Sequence, residues 1–258
     1  MAAPTQRAIF FDLIGTCCDW LSSLLPLLQS CPSHASLEPA DTKLRDLAIA
    51  WREGFFAEIH SRFERKEPAE DIDVTHRRVL DRLLEERGIN LETWDNSLRE
   101  KLVHQWHIQK AWPDVIPALE IIREKKTWFL VVLANGTSRL QLDIAQSSDI
   151  PFHSLLSSEL LCLTKPDPAT YRKAMELVKL PPENCVMLAS HLYDLEAAKG
   201  VGMQTIYVHR TTEDVDLKTI DLEGEHSYVD FYFDGRTRAG CEAKGFMGAV
   251  AHLLQNYE

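Results

Sequence analysis

Residues 7–16 read RAIFFDLIGT, a short apolar run that ends in an acid and a glycine-containing turn. Arg7–Asp12 has the composition of a buried β-strand, and Gly15 is typical of a turn. In open α/β sheets, ligands bind beyond the carboxyl ends of the strands. An acid at the end of the first strand, followed by Thr16, therefore predicts an active site at that edge of a sheet.

A long helical stretch follows this strand. Apolar residues recur near the 3.6-residue helical spacing in Thr42–Phe63 and again in two later segments. Strand patterns are absent throughout this stretch. The sequence therefore predicts a helical domain over residues 19–111, inserted into a core that comprises residues 1–18 and 112–258.

The rest of the chain alternates between strand and helix patterns. Trp128–Ala134 reads WFLVVLA, a continuous apolar run of the kind found in strands buried on both faces. Further strands are predicted at residues 155–156, at Cys185–Ala189 and at Gln204–Val208, with an edge strand at Ser227–Phe233. This alternation predicts an α/β fold with a mainly parallel sheet and a Rossmann-like core.

The composition excludes several classes of function. The 258 residues include 28 Lys and Arg against 39 Asp and Glu, a formal charge of −11. Nucleic-acid binding is therefore not expected, because it requires a cationic surface. No apolar run approaches the roughly 20 residues that span a bilayer, and no secretory signal is visible. The six cysteines lack metal-ligand spacing and are expected to be reduced thiols, so the sequence predicts a cytoplasmic location.

Residues that could take part in catalysis follow the predicted strands. They are Asp12 and Thr16 after the first strand, Asn135 after the second, Lys165 in the third segment, and His191 and Asp194 after the fourth. A carboxylate at the end of a central strand can act as a nucleophile or as a metal ligand. A lysine close by keeps such a carboxylate ionised.

Four segments that contain these residues together resemble the haloacid dehalogenase superfamily. They read FDLIGT at residues 11–16, LANG at 133–136, KPDPATYRKA at 165–174 and ASHLYDLEAAKGVG at 189–202. WPDVIPAL at 112–119 and the Trp51-Arg52 pair are similar in particular to the L-2-haloacid dehalogenase (type II) branch. The resemblance covers about residues 7–20 and 112–208. It implies that the helical insert is the cap domain of that superfamily.

The resemblance implies a catalytic role for four of the candidates. Asp12 is expected to be the nucleophile, which attacks the carbon that bears the halogen and forms an aspartyl ester. Thr16 is expected to orient Asp12. Lys165 and Asp194 are expected to position and activate the hydrolytic water.

Five further residues are expected to contact the substrate or the departing halide. Arg52, Asn135 and Tyr193 would cradle the halide, and Tyr171 stands where the branch has an active-site tyrosine. His191 stands at the position of an amide and could replace that donor, although a histidine changes the local ionisation.

Two positions distinguish the chain from the phosphatases of the superfamily. Those enzymes have a second acid, two residues after the nucleophile, that protonates a poorly leaving alkoxide, and here that position is Ile14. A halide needs no proton, because it is the conjugate base of a strong acid. Ser190 stands where the phosphatases often have a magnesium ligand, which leaves Asp12 and Asp194 as the only ligands if Mg²⁺ is bound. We therefore expect metal-free displacement at carbon, without a cofactor.

The leading hypothesis is hydrolytic dehalogenation of a small 2-haloacid, with inversion at carbon. Ala134 and Ala189 replace residues that carry a hydroxyl in the branch. Two other hypotheses stay open. One is a magnesium-dependent phosphatase that acts on a prenyl or other metabolic phosphate. The other is a repurposed, non-catalytic protein that binds a metabolite. The expected partner is a small molecule, a homodimer is possible, and the sequence assigns no role to residues 211–245.

Overall fold

The computed structural model describes residues 5–68, 70–236 and 244–257. Within these ranges, no helix combines the length and the apolar character that crossing a membrane requires.

The chain divides into two compact units. One, which we call the α/β unit, comprises Met1–Asp19 and Ala111–Glu258. The other, which we call the helical unit, comprises Trp20–Lys110. That the helical unit serves as a cap stays a prediction.

The helical unit consists of four α-helices and two short 3₁₀ turns within its described residues. The helices are α1 (Trp20–Gln29), α2 (Ala40–Glu64), α3 (Ile72–Glu86) and α4 (Asn96–His104). Its interior is rich in aromatic rings, because the helical spacing places Trp51 and Phe55 on the buried face of α2. The ring of His76 from α3 stacks on Phe55 at a centroid distance of 4.0 Å and on Trp106 at 4.4 Å.

The α/β unit is built around a six-stranded sheet. The strands are β1 (Arg7–Phe11), β2 (Trp128–Ala134), β3 (Ser154–Ser157), β4 (Cys185–Ala189), β5 (Gln204–His209) and β6 (Phe231–Asp234). Their order is β3-β2-β1-β4-β5-β6, and every neighbouring pair is parallel. The predicted α/β class with a mainly parallel sheet is confirmed.

Among the described residues of the α/β unit, five helices precede or connect strands of this sheet, and a sixth follows β6. They are α5 (Val115–Glu124), α6 (Ser138–Ser148), α7 (Ser158–Leu161), α8 (Pro168–Val178), α9 (Leu192–Lys199) and α10 (Gly245–Tyr257). Successive residues of β1 pack on opposite faces, as the two-residue period of a strand requires. Phe10 belongs to a buried cluster with Tyr171 of α8, whereas the ring of Phe11 stacks on Phe246 of α10 at 5.9 Å. Both faces of the sheet are therefore covered, as its continuous apolar strands require.

The edge strand is shorter than the sequence predicts. It begins at Phe231 rather than Ser227, because residues 226–229 form a turn in which the Val229 N–H donates to the His226 carbonyl. The polar, glycine-containing sequence of Asp234–Gly245 predicts a loop, but residues 237–243 lie outside the described ranges.

Candidate active site

Asp12 directly follows β1 and is held by three buried side chains. Lys165 Nζ donates to Asp12 Oδ1 at 2.9 Å, and Thr16 Oγ1 donates to Oδ2 at 2.8 Å. His191 Nδ1 lies 3.1 Å from the same Oδ2. Burial alone raises the pKa of Asp12, but the charges of Lys165 and His191 outweigh burial and hold this pKa well below its ordinary value. Asp12 is therefore an ionised carboxylate, the form that a nucleophile needs.

Lys165 joins Asp12 to a second buried carboxylate. Its Nζ also donates to Asp194 Oδ2, and the Tyr171 hydroxyl donates to Asp194 Oδ1 at 2.5 Å. Burial tends to lower the pKa of Lys165, but the two carboxylates outweigh it and raise this pKa above its ordinary value. The ammonium ion thus stays charged and stabilises both carboxylates, which lowers the free-energy cost of burying them.

The two carboxylates differ in basicity. Burial, together with the negative charge of Asp12, raises the pKa of Asp194 above its ordinary value, despite the opposing charge of Lys165. The pKa of Asp12 is displaced in the opposite direction. Paired acids whose pKa values are driven apart commonly divide their roles in catalysis. Here Asp194 is the better proton acceptor, and Asp12 stays available as an anion.

Asn135 positions the backbone of Lys165. Its Nδ2 donates to the Lys165 carbonyl at 3.0 Å, and its Oδ1 accepts the Lys165 N–H at 2.8 Å. Asn135 follows β2 and Lys165 precedes α8, so these two bonds connect separate segments at the carboxyl edge of the sheet. A contact of Asn135 with halide stays a prediction.

His191 lies between two carboxylates. Its Nε2 is 2.6 Å from Glu213 Oε2, and its Nδ1 faces Asp12 Oδ2. Carboxylates only accept, so both ring nitrogens must carry hydrogen, and His191 is an imidazolium. Burial is the largest single influence and lowers the pKa of His191, but the hydrogen bonds and negative charges of Asp12 and Glu213 together outweigh it and raise this pKa to about 10.

Glu213 is a further site residue, which no motif in the sequence indicates. It lies four residues after β5, within residues 211–245, to which the sequence assigns no role. The neighbouring Asp214 accepts the N–H of Leu192, the first residue of α9, at 3.0 Å, which fastens this segment beside His191. Glu213 lies just beyond the end of a predicted strand, which is where site residues are expected. Several other acids follow the same strand, so the sequence does not distinguish Glu213 from them.

Arg210 is a second residue that no motif indicates, and it supports the loop that carries Thr16. Its Nε donates to the Thr16 carbonyl at 3.2 Å, and its guanidinium pairs with Asp114 at 2.9 Å. The rings of Trp112 and Phe246 lie about it at 5.0 Å and 5.1 Å. The charge of Arg210 therefore acts on the loop backbone rather than on Asp12 itself.

The structure brings six of the nine predicted residues into one hydrogen-bonded group: Asp12, Thr16, Lys165, Tyr171, His191 and Asp194. Asn135 joins through the Lys165 backbone. The Tyr193 ring lies 5.6 Å from the His191 ring. Arg52 belongs to the helical unit, where its guanidinium lies 4.3 Å from the Phe56 ring and 5.7 Å from the Trp106 ring. Substrate or halide contacts of all nine residues stay predictions.

The predicted metal ligands are engaged with a lysine. Asp12 and Asp194 both accept from Lys165 Nζ, and Ser190 Oγ donates to the Val208 carbonyl at 2.5 Å. In the described part of the chain, no group of three or more His, Cys, Asp or Glu side chains is placed to hold a metal ion. The expectation that no cofactor is needed stays a prediction.

Gly15 is required where the loop passes Glu213. Its φ is +92°, and an added Cβ would lie 2.3 Å from Glu213 Cδ. We expect Gly15→Ala to lower the free energy of unfolding by about 1–3 kcal/mol, because it strains the backbone and displaces Glu213. Urea denaturation measures this loss. Gly88→Ala is the matched control, since Gly88 has a φ of +67° but open space around its Cβ position. Equal losses in the two variants would contradict a specific clash at Gly15.

Stability is expected to depend on pH through His191 and Asp12. The folded-state pKa of His191 is about 10 against an ordinary 6.5, so its stabilising contribution is complete below pH 6.5 and is lost as the pH rises towards 10. The pKa of Asp12 is lowered, so its contribution is complete above its ordinary 3.8 and is lost as the pH falls below that value. Urea denaturation from pH 6 to about pH 10 should show a falling free energy of unfolding. Replacing His191 and Glu213 together by Phe and Leu should flatten this fall, and an unchanged slope would contradict the assignment.

Comparison with known proteins places the chain in a family of hydrolases. Residues 6–202 match the haloacid dehalogenase-like hydrolase family, and the chain belongs to that family. The (S)-2-haloacid dehalogenase 2 of Pseudomonas sp. (strain CBS-3) is 24% identical over 207 residues, which cover 80% of this chain and 84% of that protein. The predicted membership of the haloacid dehalogenase superfamily is thereby confirmed.

Two solved structures are similar along nearly the whole chain. The L-2-haloacid dehalogenase PA0810 superposes with a TM-score of 0.78 at 27% identity, covering 97% of this chain and 99% of its own. The defluorinating L-2-haloacid dehalogenase Rha0230 has a TM-score of 0.76 at 25% identity, and the match covers 96% of this chain and 95% of the Rha0230 chain. The predicted resemblance to the L-2-haloacid dehalogenase branch is confirmed by these relatives.

Proposed function

We propose that this hydrolase removes halogen from a small 2-haloacid through an aspartyl ester on Asp12. The observation that carries the proposal is the buried, ionised Asp12 carboxylate, held by Lys165, Thr16 and His191 and paired through Lys165 with the more basic Asp194. Such a constellation supplies a fixed nucleophile and a separate proton acceptor.

In the first step, a carboxylate oxygen of Asp12 attacks the carbon that bears the halogen. The oxygen lone pair forms the new C–O bond, and the halide departs with the electron pair of the C–X bond, which inverts the carbon. A buried, oriented carboxylate gains from proximity and from the absence of its own hydration shell. Ile14, two residues after the nucleophile, cannot protonate a leaving group, and a halide does not require it.

In the second step, water attacks Cγ of the Asp12 ester. Asp194 accepts a proton from this water and passes it to the departing oxygen of the product. Lys165 and Tyr171 hold Asp194 in position from its two oxygens. The solvent oxygen remains in the Asp12 carboxyl, and the product is a 2-hydroxy acid.

The relatives support the same chemistry, since they are 2-haloacid dehalogenases that are 24–27% identical to this chain. We propose further that neither metal nor cofactor takes part, and that the protein acts in the cytoplasm. Five cysteines of the described residues are free thiols, which supports a reducing compartment, and Cys241 lies outside the described ranges.

A release screen tests this function. The purified chain is incubated with the separated enantiomers of 2-chloropropionate and with a panel of phosphomonoesters, each with Mg²⁺ or with EDTA. We expect chloride release from one enantiomer, insensitive to EDTA, with lactate of inverted configuration as product. EDTA-sensitive phosphate release without chloride release would instead select a phosphatase. Ligand-induced thermal protection without release of either ion would select a binding protein.

A further inference from the structure

The two oxygens of the Asp12 carboxylate are not equivalent. Oδ2 accepts from both Thr16 Oγ1 at 2.8 Å and His191 Nδ1 at 3.1 Å, whereas Oδ1 accepts from Lys165 Nζ at 2.9 Å. Each carboxylate oxygen has about two lone-pair sites. Two donors therefore occupy the sites of Oδ2, and Oδ1 keeps one free for attack on carbon.

Both donors to Oδ2 are fixed before any substrate arrives. Thr16 Oγ1 accepts the Ser190 N–H at 2.9 Å, which directs the hydroxyl hydrogen towards Asp12. Glu213 holds the opposite nitrogen of His191 at 2.6 Å, which fixes the ring and its charge. Donors that are oriented in advance stabilise a developing negative charge without reorganisation.

The absence of a side chain at Gly15 shows that the loop after β1 accommodates Glu213. The carboxylate of Glu213 packs against Gly15, in space that any side chain at this position would occupy, since an added Cβ would lie 2.3–2.6 Å from three of its atoms. Glu213 is thereby brought to His191, and through it to Asp12, although 201 residues of sequence separate Glu213 and Asp12 (213 − 12 = 201).

We propose that His191, oriented by Glu213, is a catalytic residue that forms with Thr16 an oxyanion site at Asp12 Oδ2 for the hydrolysis of the ester. The proposal rests on the proposed function and assigns the steps to atoms. Oδ1 becomes the ester oxygen, and Oδ2 becomes the ester carbonyl.

When water attacks Cγ, the π-electron pair of the carbonyl moves onto Oδ2. There it meets the hydrogens of Thr16 Oγ1 and His191 Nδ1. The pair then re-forms the C=O bond as the Cγ–Oδ1 bond breaks. Oδ1 leaves with the product and takes the proton that Asp194 removed from the water. Glu213 acts only through His191 and is a positioning residue.

Rapid-quench kinetics with 2-chloropropionate test the proposal, because they separate ester formation from ester hydrolysis. The main variant combines His191→Phe with Glu213→Leu, which removes the donor and leaves no buried charge unpaired. We expect its ester hydrolysis to slow by about 100-fold, as for loss of one oxyanion-site donor. The first-turnover chloride burst should persist within about threefold of the native rate, since formation of the ester does not place charge on Oδ2. Intact-mass spectrometry should then detect accumulated ester on Asp12.

Two single variants refine the measurement. His191→Asn keeps a neutral N–H donor, and Glu213→Gln keeps the shape of the orienting residue without its charge. Both should slow the same hydrolysis step by less than the double variant does. They also supply the test if the double variant does not fold, because each changes only a few atoms. The matched control is His209→Phe, a buried histidine of the α/β unit whose ring faces Tyr232 rather than Asp12.

Equal slowing of the burst and of hydrolysis, or an unchanged hydrolysis rate, would overturn the role of His191. These results differ from failure of the proposed function itself. In that case the native protein would release no chloride from any 2-haloacid, whatever the residue at position 191.

Discussion

Replacing Asp12 with Asn is expected to abolish turnover, with kcat for chloride release falling by at least about 10⁴-fold, as for loss of a catalytic nucleophile. The neutral amide does not attack carbon, and its NH₂ group would face the donors that now bind the carboxylate. Steady-state chloride release, measured with high enzyme concentration to detect residual activity, checks this expectation.

The control for this loss is Asp230→Asn. Asp230 also pairs with a lysine, Lys199, but it lies outside the hydrogen-bonded group at Asp12. The control should retain chloride release within about threefold, in keeping with the small effects of substitutions away from a site. Chloride release by a pure, folded Asp12→Asn protein at more than a few per cent of the native rate would contradict the covalent route.

Lys165→Met is expected to damage both stability and activity. Removing the ammonium leaves Asp12 and Asp194 buried without the cation that they share, and breaking a buried ion pair from one side costs about 3–5 kcal/mol. Mutual repulsion should also favour protonation of one carboxylate at neutral pH. We therefore expect a large fall in kcat together with a lower urea midpoint.

A double variant distinguishes charge balance from loss of packing. Lys165→Met combined with Asp194→Asn removes one positive and one negative charge, so its free energy of unfolding should recover part of the loss. Its activity should not recover, because the proposed proton acceptor is absent. If the double variant were as unstable as the sum of the two single variants, the electrostatic explanation would be wrong.

The strands that position the site could be predicted from local sequence. Trp128–Ala134 and Cys185–Ala189 have the predicted bounds, because strands buried on both faces show as unbroken apolar runs between polar turns. The start of α8 is equally local, because Asp167-Pro168 is a typical N-cap and first-turn proline: the Asp167 side chain accepts the Ala169 N–H, and Pro168 begins the helix. Parallel strands end at a common edge, so residues after the strands could be predicted to meet there.

The sequence could not predict which side chains reach the site through tertiary contacts. Glu213 and Arg210 both follow β5, which is two places from β1 in the sheet, and strand order is not encoded in any short motif. His191 showed the same limit, because its charge depends on carboxylates before and after it in the chain. The predicted edge strand is too long because the pattern of aromatic residues in β6 continues into the preceding turn.

The most direct measurement follows the oxygen of the hydrolytic water. A single turnover of 2-chloropropionate in H₂¹⁸O, with enzyme in excess, is followed by proteolysis and mass spectrometry of the peptide that contains Asp12. The account predicts one ¹⁸O atom in the Asp12 carboxyl and unlabelled lactate. Labelled lactate with an unlabelled Asp12 would show that water attacks the substrate directly, and would contradict the aspartyl ester.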